Sequence, residues 1–294
     1  MREIFTAFST ILLHPLNRGK IWNTFMRIGW WKLNQLFFRY PSVATIAPGV
    51  HINCYPDDSY GSFIIYATWP EYQELHFIYS FLKKTDSFID VGAHIGDSSL
   101  LAAAKIQSGK VLAIEPTPQI FLRLNENIRL NHFESRIIAV QAAISEKIGT
   151  AYFALESEAE VNHIQLHRGK SKSIVVPTTT IDALVKLHVL DEHTFLKIDV
   201  EGFELEVLQG AKKSLRSQML KIILFEVNPS VEHIHDKLTQ IERILSGNEY
   251  VFFNFTQTGQ LSPLSALYVP ERTDNFIAVT TKVSRSQAFK KWLS

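Results

Sequence analysis

The sequence predicts an α/β protein: a sheet of about seven mostly parallel strands with helices on both faces. Three observations predict it. Phe88-Ile89-Asp90-Val91 is a short apolar run that stops at Gly92, and a helical pattern opens at Asp97-Ser98, which can cap free backbone N–H groups. Lys110 to Ile114 repeats the scheme, ending in Glu115 before Pro116 and Pro118 start a second helix. Four such strands stop at a carboxylate: Asp90, Glu115, Asp199 and Glu226. In parallel strands those acids collect at one edge, the edge where open α/β sheets take their ligands.

In chain order, residues 1 to about 40 carry Arg2, Arg18, Lys20, Arg27, Lys32 and Arg39 against a single acid, Glu3. From Lys20 onward the pattern is helical. Lys20, Asn23, Thr24, Arg27 and Asn34 share one narrow polar stripe, and Trp22, Phe25, Ile28, Trp30, Trp31, Leu33, Phe37 and Phe38 occupy much of the remaining circumference. Such a helix must cover its aromatic faces; the expected cover is the protein core or a second copy of the chain in a homodimer, rather than lipid. Residues 42–67 read as short strands with turns at Pro48-Gly49 and Pro56-Asp57-Asp58, and Pro70-Glu71 opens a helix carrying Leu75, Ile78, Tyr79 and Leu82.

The helix after Pro118 keeps Phe121, Leu124 and Ile128 at helical spacing, and Arg136 to Val140 is a third strand. Gly149–Phe153 and Ser173–Val176 read as an inserted hairpin with Asn162-His163 between them. Thr180 starts a short helix, Phe195 to Asp199 and Ile222 to Glu226 are further core strands, and Tyr250–Phe255 with Phe276–Val279 close the sheet. The expected division is a helical and short-strand extension over 1–69 and a ligand-binding domain over 70–294.

At 294 residues with 46% hydrophobic content there is material for one large core, and a net charge of +1 gives no reason to expect nucleic acid as a partner. The single cysteine, Cys54, excludes an intrachain disulfide and fits a reducing compartment. No apolar run reaches the roughly 18 residues of a transmembrane helix. Ile4–Leu13 lacks both a preceding basic run and a small-residue cleavage site, so the expected location is cytoplasmic.

The loop after Asp90 decides the ligand class. Its pattern is D-x-G-x-x-x-G, with Gly92 and Gly96, where a dinucleotide fold wants G-x-G-x-x-G aimed at a pyrophosphate. An acid here repels phosphate, and no Gly-Lys-Ser/Thr follows to make a P-loop. It suits a ligand with an adenosine, an amino group and a positive centre, which describes S-adenosylmethionine. Glu115, 25 residues after Asp90, has the position and type of the acid that takes two ribose hydroxyls. A NAD-dependent oxidoreductase would share the fold but lacks its phosphate loop, and a non-catalytic binding protein would not need this acid-and-glycine set. A divalent metal on Asp199, Glu226 and Asn228 is the competing guest for the acid cluster.

At Leu196-Lys197-Ile198-Asp199-Val200-Glu201-Gly202-Phe203-Glu204, with Leu208-Gln209-Gly210-Ala211, the sequence resembles the FkbM family of S-adenosylmethionine-dependent methyltransferases. The likeness takes in Phe88–Asp97, Ile114-Glu115-Pro116, Thr179–Leu184 and Ile223–Glu226, and Leu16–Gly19 and Val161-Asn162-His163 look like features of one bacterial branch. His94 departs from the usual Asn, and Asp97 from the usual aromatic or small residue. The resemblance implies a Rossmann-like methyltransferase fold and O-methylation of a hydroxyl on a sugar, glycan or other natural product. The residues expected to bind the cofactor are Asp90, Gly92, His94, Gly96, Glu115, Pro116 and Ala142, and those expected to bind the acceptor are Asn162, Glu201 and Glu226; no metal is expected, because no tighter cluster of Asp, Asn or His supports one. Methyl transfer to a hydroxyl benefits from a positioned base, and Asp199 and His163 are the candidates. Lys197 is expected to pair with the acids, and Glu201, Glu204 and Glu206 to favour a helix N-terminus.

Overall fold

The computed structural model describes residues 11, 13–154, 163–165, 173–190 and 193–294, and, of 154 and 163–165, the backbone alone. Helix α1 (Ile21–Leu33) runs into one π turn, Asn34–Phe38. Strands β1 (Ser42–Ala47) and β2 (Val50–Cys54) form an antiparallel hairpin through Pro48-Gly49. The next stretch departs from expectation: Ser59–Ala67 is a helix, α2, not strand. Its start is set by Asp58, whose carboxylate accepts from the Tyr60 N–H. Phe63, Ile64, Ile65 and Tyr66 mimic a strand because α2 is apolar on most faces, most of them covered.

Helix α3 (Tyr72–Phe81) then leads to β3 (Ser87–Val91), α4 (Asp97–Lys105), β4 (Val111–Ile114), α5 (Pro118–Leu130) and β5 (Ile137–Val140). Short β6 (Ala143–Ile144), β7 (Gly149–Ala154), β8 (His163–Gln165) and β9 (Ser173–Thr179) make a separate four-stranded sheet in the order β6-β9-β7-β8. The expected hairpin is thus the β7–β9 pair, with a strand added on each side. Helix α6 (Ile181–His188), β10 (Thr194–Ile198), α7 (Glu204–Gln209), α8 (Lys212–Arg216), β11 (Leu220–Val227), α9 (Ile234–Ser246), β12 (Tyr250–Phe255), β13 (Leu261–Leu264), β14 (Asp274–Thr280), α10 (Thr281–Ser284) and α11 (Gln287–Lys290) complete the described chain.

The main sheet has eight strands in the order β13-β12-β14-β11-β10-β3-β4-β5. β5, β4, β3, β10 and β11 are parallel neighbours; β14 is antiparallel to both β11 and β12. The strand beyond the expected seven is β13, at the edge, where Pro263 costs no ladder hydrogen bond on the open side. The parallel strands β3, β4 and β10 are buried at every residue, as strands covered on both faces must be. Two hydrophobic clusters cover the two faces, one built around α3, α4 and α5 and the other around α7, α8 and α9. Trp31, Ile52 and Ile64 belong to the first of these.

Helix α1 lies on α2 with part of its polar stripe, Thr24 and Arg27, continued by Asn34 of the π turn, inward, while Lys20 and Asn23 stay exposed. Thr24, Trp31 and Asn34 are buried, while Trp22, Phe25, Met26, Trp30 and Leu33 are exposed. Among the described residues no helix is long and apolar enough to cross a membrane.

Candidate active site

The parallel topology puts the carboxyl ends of β3, β4, β10 and β11 side by side, and a cavity of about 440 Å³ opens over them. Register fixes the first contact. Lys197 on β10 is paired with Asp90 on β3, both on the strand face opposite to their fully apolar neighbours. The Lys197 ammonium reaches across the strand end to Asp199 Oδ2 at 2.7 Å, the pairing expected of it. Asp199 is held in turn by its own backbone N–H, which donates to Val91 O at 2.9 Å.

Two glycines set close approaches in the loop after β3, and the first brings β3 and β10 this close. At Gly92 (φ +82°) a Cβ would stand 1.8 Å from Asp199 O, so no other residue fits without moving the β10 end. Gly96 (φ +98°) caps α4, and a Cβ there would meet Leu124 Cδ1 at 2.6 Å. Gly96 therefore shapes the loop against α5 and is not on the cavity wall.

Asp90 is fully buried. Its Oδ2 accepts from Ser99 Oγ at 2.6 Å, and its Oδ1 has no hydrogen-bond partner among the described residues. Burial pushes its carboxyl up to about 6, against the opposing pull of Lys197 and Ser99. Glu115, at the end of β4, is buried as well: Oε1 accepts from the Thr117 N–H at 2.8 Å and Oε2 from the His94 N–H at 3.2 Å. Burial raises it too, with His94 and Thr117 pulling the other way. The His94 ring stacks edge-on to Tyr60 at 5.1 Å, and neither ring nitrogen has a partner among the described residues.

Of the residues expected from sequence, Asp90, Gly92, His94, Glu115, Pro116, Ala142, Asp199, Glu201 and Glu226 all line this one cavity. Asn162 and the side chain of His163 lie outside the described residues. The backbone of His163 opens β8, paired with Ala154 of β7. Sequence reasoning missed Tyr60, Phe63, Glu71, Asp97 and Phe153, which also line the cavity. Tyr60 donates to Asp97 Oδ2 at 2.7 Å. The Asp58 cap was the available signal for the first two, since a helix there turns its second and fifth residues to the cavity.

Charge is the feature that distinguishes the site. Glu71, Asp90, Asp97, Glu115, Asp199, Glu201 and Glu226 face the cavity, and Lys197 is the one ammonium among its described lining residues. Burial, and then Asp199, Glu201 and Glu71, hold the Glu226 carboxyl up at about 9, and burial raises Glu71 well above the usual range. Glu204, whose Oε1 accepts from the Gly202 N–H at 3.0 Å, is pushed up to about 7 by burial. The cavity is thus built to take a cation or a set of hydrogen-bond donors.

Residues 90–252, more than half of the chain, match the methyltransferase FkbM domain. This chain belongs to the FkbM methyltransferase family. The protein is similar to a hexuronic acid methyltransferase, AglP, of Haloferax volcanii, 28% identical over 151 residues that cover 51% of this chain and 59% of that protein. It is also similar to a methyltransferase, sdnD, of Sordaria araneosa, 28% identical over 180 residues covering 51% and 69%. The chain therefore spans little more than half the length of the archaeal relative. Among solved structures, TYW2 of M. jannaschii in complex with AdoMet aligns with a TM-score of 0.42 at 13% identity, covering 81% of this chain and 84% of that one. The architecture is the Rossmann-like one of the FkbM methyltransferases, and their methyl donor is S-adenosylmethionine.

Proposed function

We propose that this FkbM protein binds S-adenosylmethionine over the Gly92 loop and transfers its methyl group to a hydroxyl of a sugar, glycan or other natural-product acceptor. The observation that carries the reading is the acid-lined cavity at the carboxyl ends of four parallel strands, with a buried, half-satisfied Asp90 on its floor. The residues fit the donor. Glu115 keeps a lone pair free on each oxygen after its two backbone contacts and would take the ribose hydroxyls. Asp90 Oδ1 and the surplus of carboxylates would hold the ammonium and the sulfonium charge, while Ile114, Pro116 and Ala142 offer the apolar wall an adenine needs. S-adenosylmethionine supplies both the methyl group and its own leaving group.

What remains for the protein is alignment, exclusion of water, and a place for the proton. As the acceptor oxygen bonds the methyl carbon it must lose its proton. Asp199, poised at the cavity edge by Lys197 and by the Val91 carbonyl, is one receiver; His163, on the strand that borders β7, is the other. Glu201, Glu226 and Asn162 would orient the acceptor's remaining hydroxyls. The hexuronic acid relative makes uronic acids and other sugars the first acceptors to try. The test is mass-spectrometric detection of methyl transfer onto a panel of neutral, amino and uronic glycosides. A product carrying one added methyl on oxygen supports the reading. Transfer to nitrogen or carbon alone would overturn it.

A further inference from the structure

Helix α1 is mounted inside out. Its inward line is held by polar contacts: Arg27 Nη2 donates to Asn17 Oδ1 at 2.8 Å and to Tyr66 O at 2.7 Å, and Trp31 Nε1 donates to Ser62 Oγ at 2.9 Å. Asn17 Nδ2 also donates to Tyr66 O, at 2.8 Å, so α1 is tied to the end of α2 from two sides. These bonds fix the rotation of α1 about its axis, and that rotation turns the aromatic face outward. Trp22 is 75% exposed, Trp30 57% and Phe37 72%, with Met26 and Leu33 exposed between them. An exposed apolar face of this kind on a protein surface marks something that covers it.

Charge says what the cover is. No Asp or Glu occurs between Glu3 and Asp57, and Arg18, Lys20, Lys32 and Arg39 are all exposed around the aromatic face. A two-fold contact between copies would set these cations against their own counterparts with no acid to offset them. An anionic lipid surface satisfies both halves: tryptophan and phenylalanine settle at the headgroup boundary, and lysine and arginine meet the phosphates. We propose that α1 and the π turn after it dock this protein on an anionic bilayer surface, with Trp22, Met26, Trp30 and Phe37 entering the headgroup region. The docking face is one helix away from the cavity, because α2 turns Ser62 and Tyr66 to α1 and Tyr60 and Phe63 to the cavity.

The test mixes the full chain with vesicles of phosphatidylcholine alone and of phosphatidylcholine with phosphatidylglycerol, and separates them by flotation. The protein floats with the phosphatidylglycerol vesicles, and added salt releases it. Trp22→Ser combined with Trp30→Ser lowers that partition by at least about tenfold, as does Lys20→Glu with Lys32→Glu. Neither pair changes the melting temperature or S-adenosylhomocysteine affinity, since these side chains lie outside the cavity. Two results would overturn the proposal. One is failure to float with phosphatidylglycerol vesicles. The other is a dimer in light scattering that the tryptophan pair dissociates, which would put a second copy on this face.

Discussion

In the cavity, carboxyl groups are buried at the ends of largely apolar strands; on α1 and its flanks, tryptophan and phenylalanine stand in solvent while Arg27, Asn17 before the helix and Asn34 after it face the protein. Both regions reverse the usual sorting of polar and apolar groups, and each does so with local support. The acids are placed by strand register, by Lys197 and by the backbone N–H groups of His94 in the glycine loop and Thr117 after β4. The aromatics are placed by hydrogen bonds on the far side of their own helix. In each case the chain alone leaves a demand unmet, for positive charge in one and for apolar cover in the other. On the two proposals made above, the buried acids and the exposed aromatics mark two ligand-facing surfaces on opposite sides of α2.

Breaking the catalytic half of the comparison gives the largest effect. Once an acceptor is known, His163→Asn or Asp199→Asn lowers turnover by roughly 10²–10⁴ for whichever residue takes the proton. The other substitution costs less than about tenfold, and steady-state kinetics on the two variants assigns the role. Normal turnover in both would remove the pair from the chemistry. Next comes Gly92→Ala, which forces a methyl group into the Asp199 carbonyl and demands a positive φ from alanine. It is expected to cost about 3 kcal/mol or more, read as a lower midpoint in urea.

On α1 the ordinary expectation about burial inverts. Arg27→Ala removes two charge-assisted bonds, one to the Tyr66 carbonyl at the end of α2 and one to Asn17, and costs about 2 kcal/mol of stability. Trp22→Ser, a far larger apolar deletion, changes stability by less than about 0.5 kcal/mol because the ring touches solvent. Equal losses in chemical denaturation would mean that α1 packs the other way round.

The buried acids also set a pH dependence. Asp90, Glu204 and Glu226 keep protons in the folded state that the unfolded chain gives up near the ordinary carboxyl values of 3.8 to 4.5. Stability from this source is complete below those values and is lost as pH rises through about 6, 7 and 9 in turn. Each proton is worth up to about 1.4 kcal/mol per pH unit across its window. The ligand-free melting temperature should therefore fall as pH rises from the unfolded carboxyl values of 3.8 to 4.5 up to about 9, and Glu226→Gln should flatten the part above about 7, where Asp90 and Glu204 have already ionised. A slope unchanged by Glu226→Gln would mean that Glu226 is already ionised in the folded protein.

The sheet was legible in the sequence because its strands carry their own punctuation. Four of the five parallel strands, β3, β4, β10 and β11, are mainly apolar runs with an acid at or beside their carboxyl ends, and that signal survives without neighbours. The same acids delivered the strand-end side of the cavity, since parallel strands bring their ends together whatever the helices do. The α2 wall was not legible. Ser59–Ala67 is apolar and aromatic enough to imitate a strand, and only the single cap at Asp58 argues for helix. With α2 went Tyr60 and Phe63, and with them the far side of the cavity. The rotation of α1 was hidden for another reason. A polar stripe on an aromatic helix is read as its wet side, but Arg27, Asn34 and the nearby Asn17 spend their polarity on partners distant in sequence or beyond the helix end.

Central to this account is an acid-lined cavity that recognises the cofactor through a strand-end carboxylate. Isothermal titration of S-adenosylhomocysteine into the wild type and into Glu115→Ala tests it most directly. The wild type should bind, and the variant, folded by its melting curve, should bind about 1.5–3 kcal/mol more weakly, the size of hydrogen bonds to a charged group. Equal affinity in the two proteins, or no binding by the wild type, would contradict it.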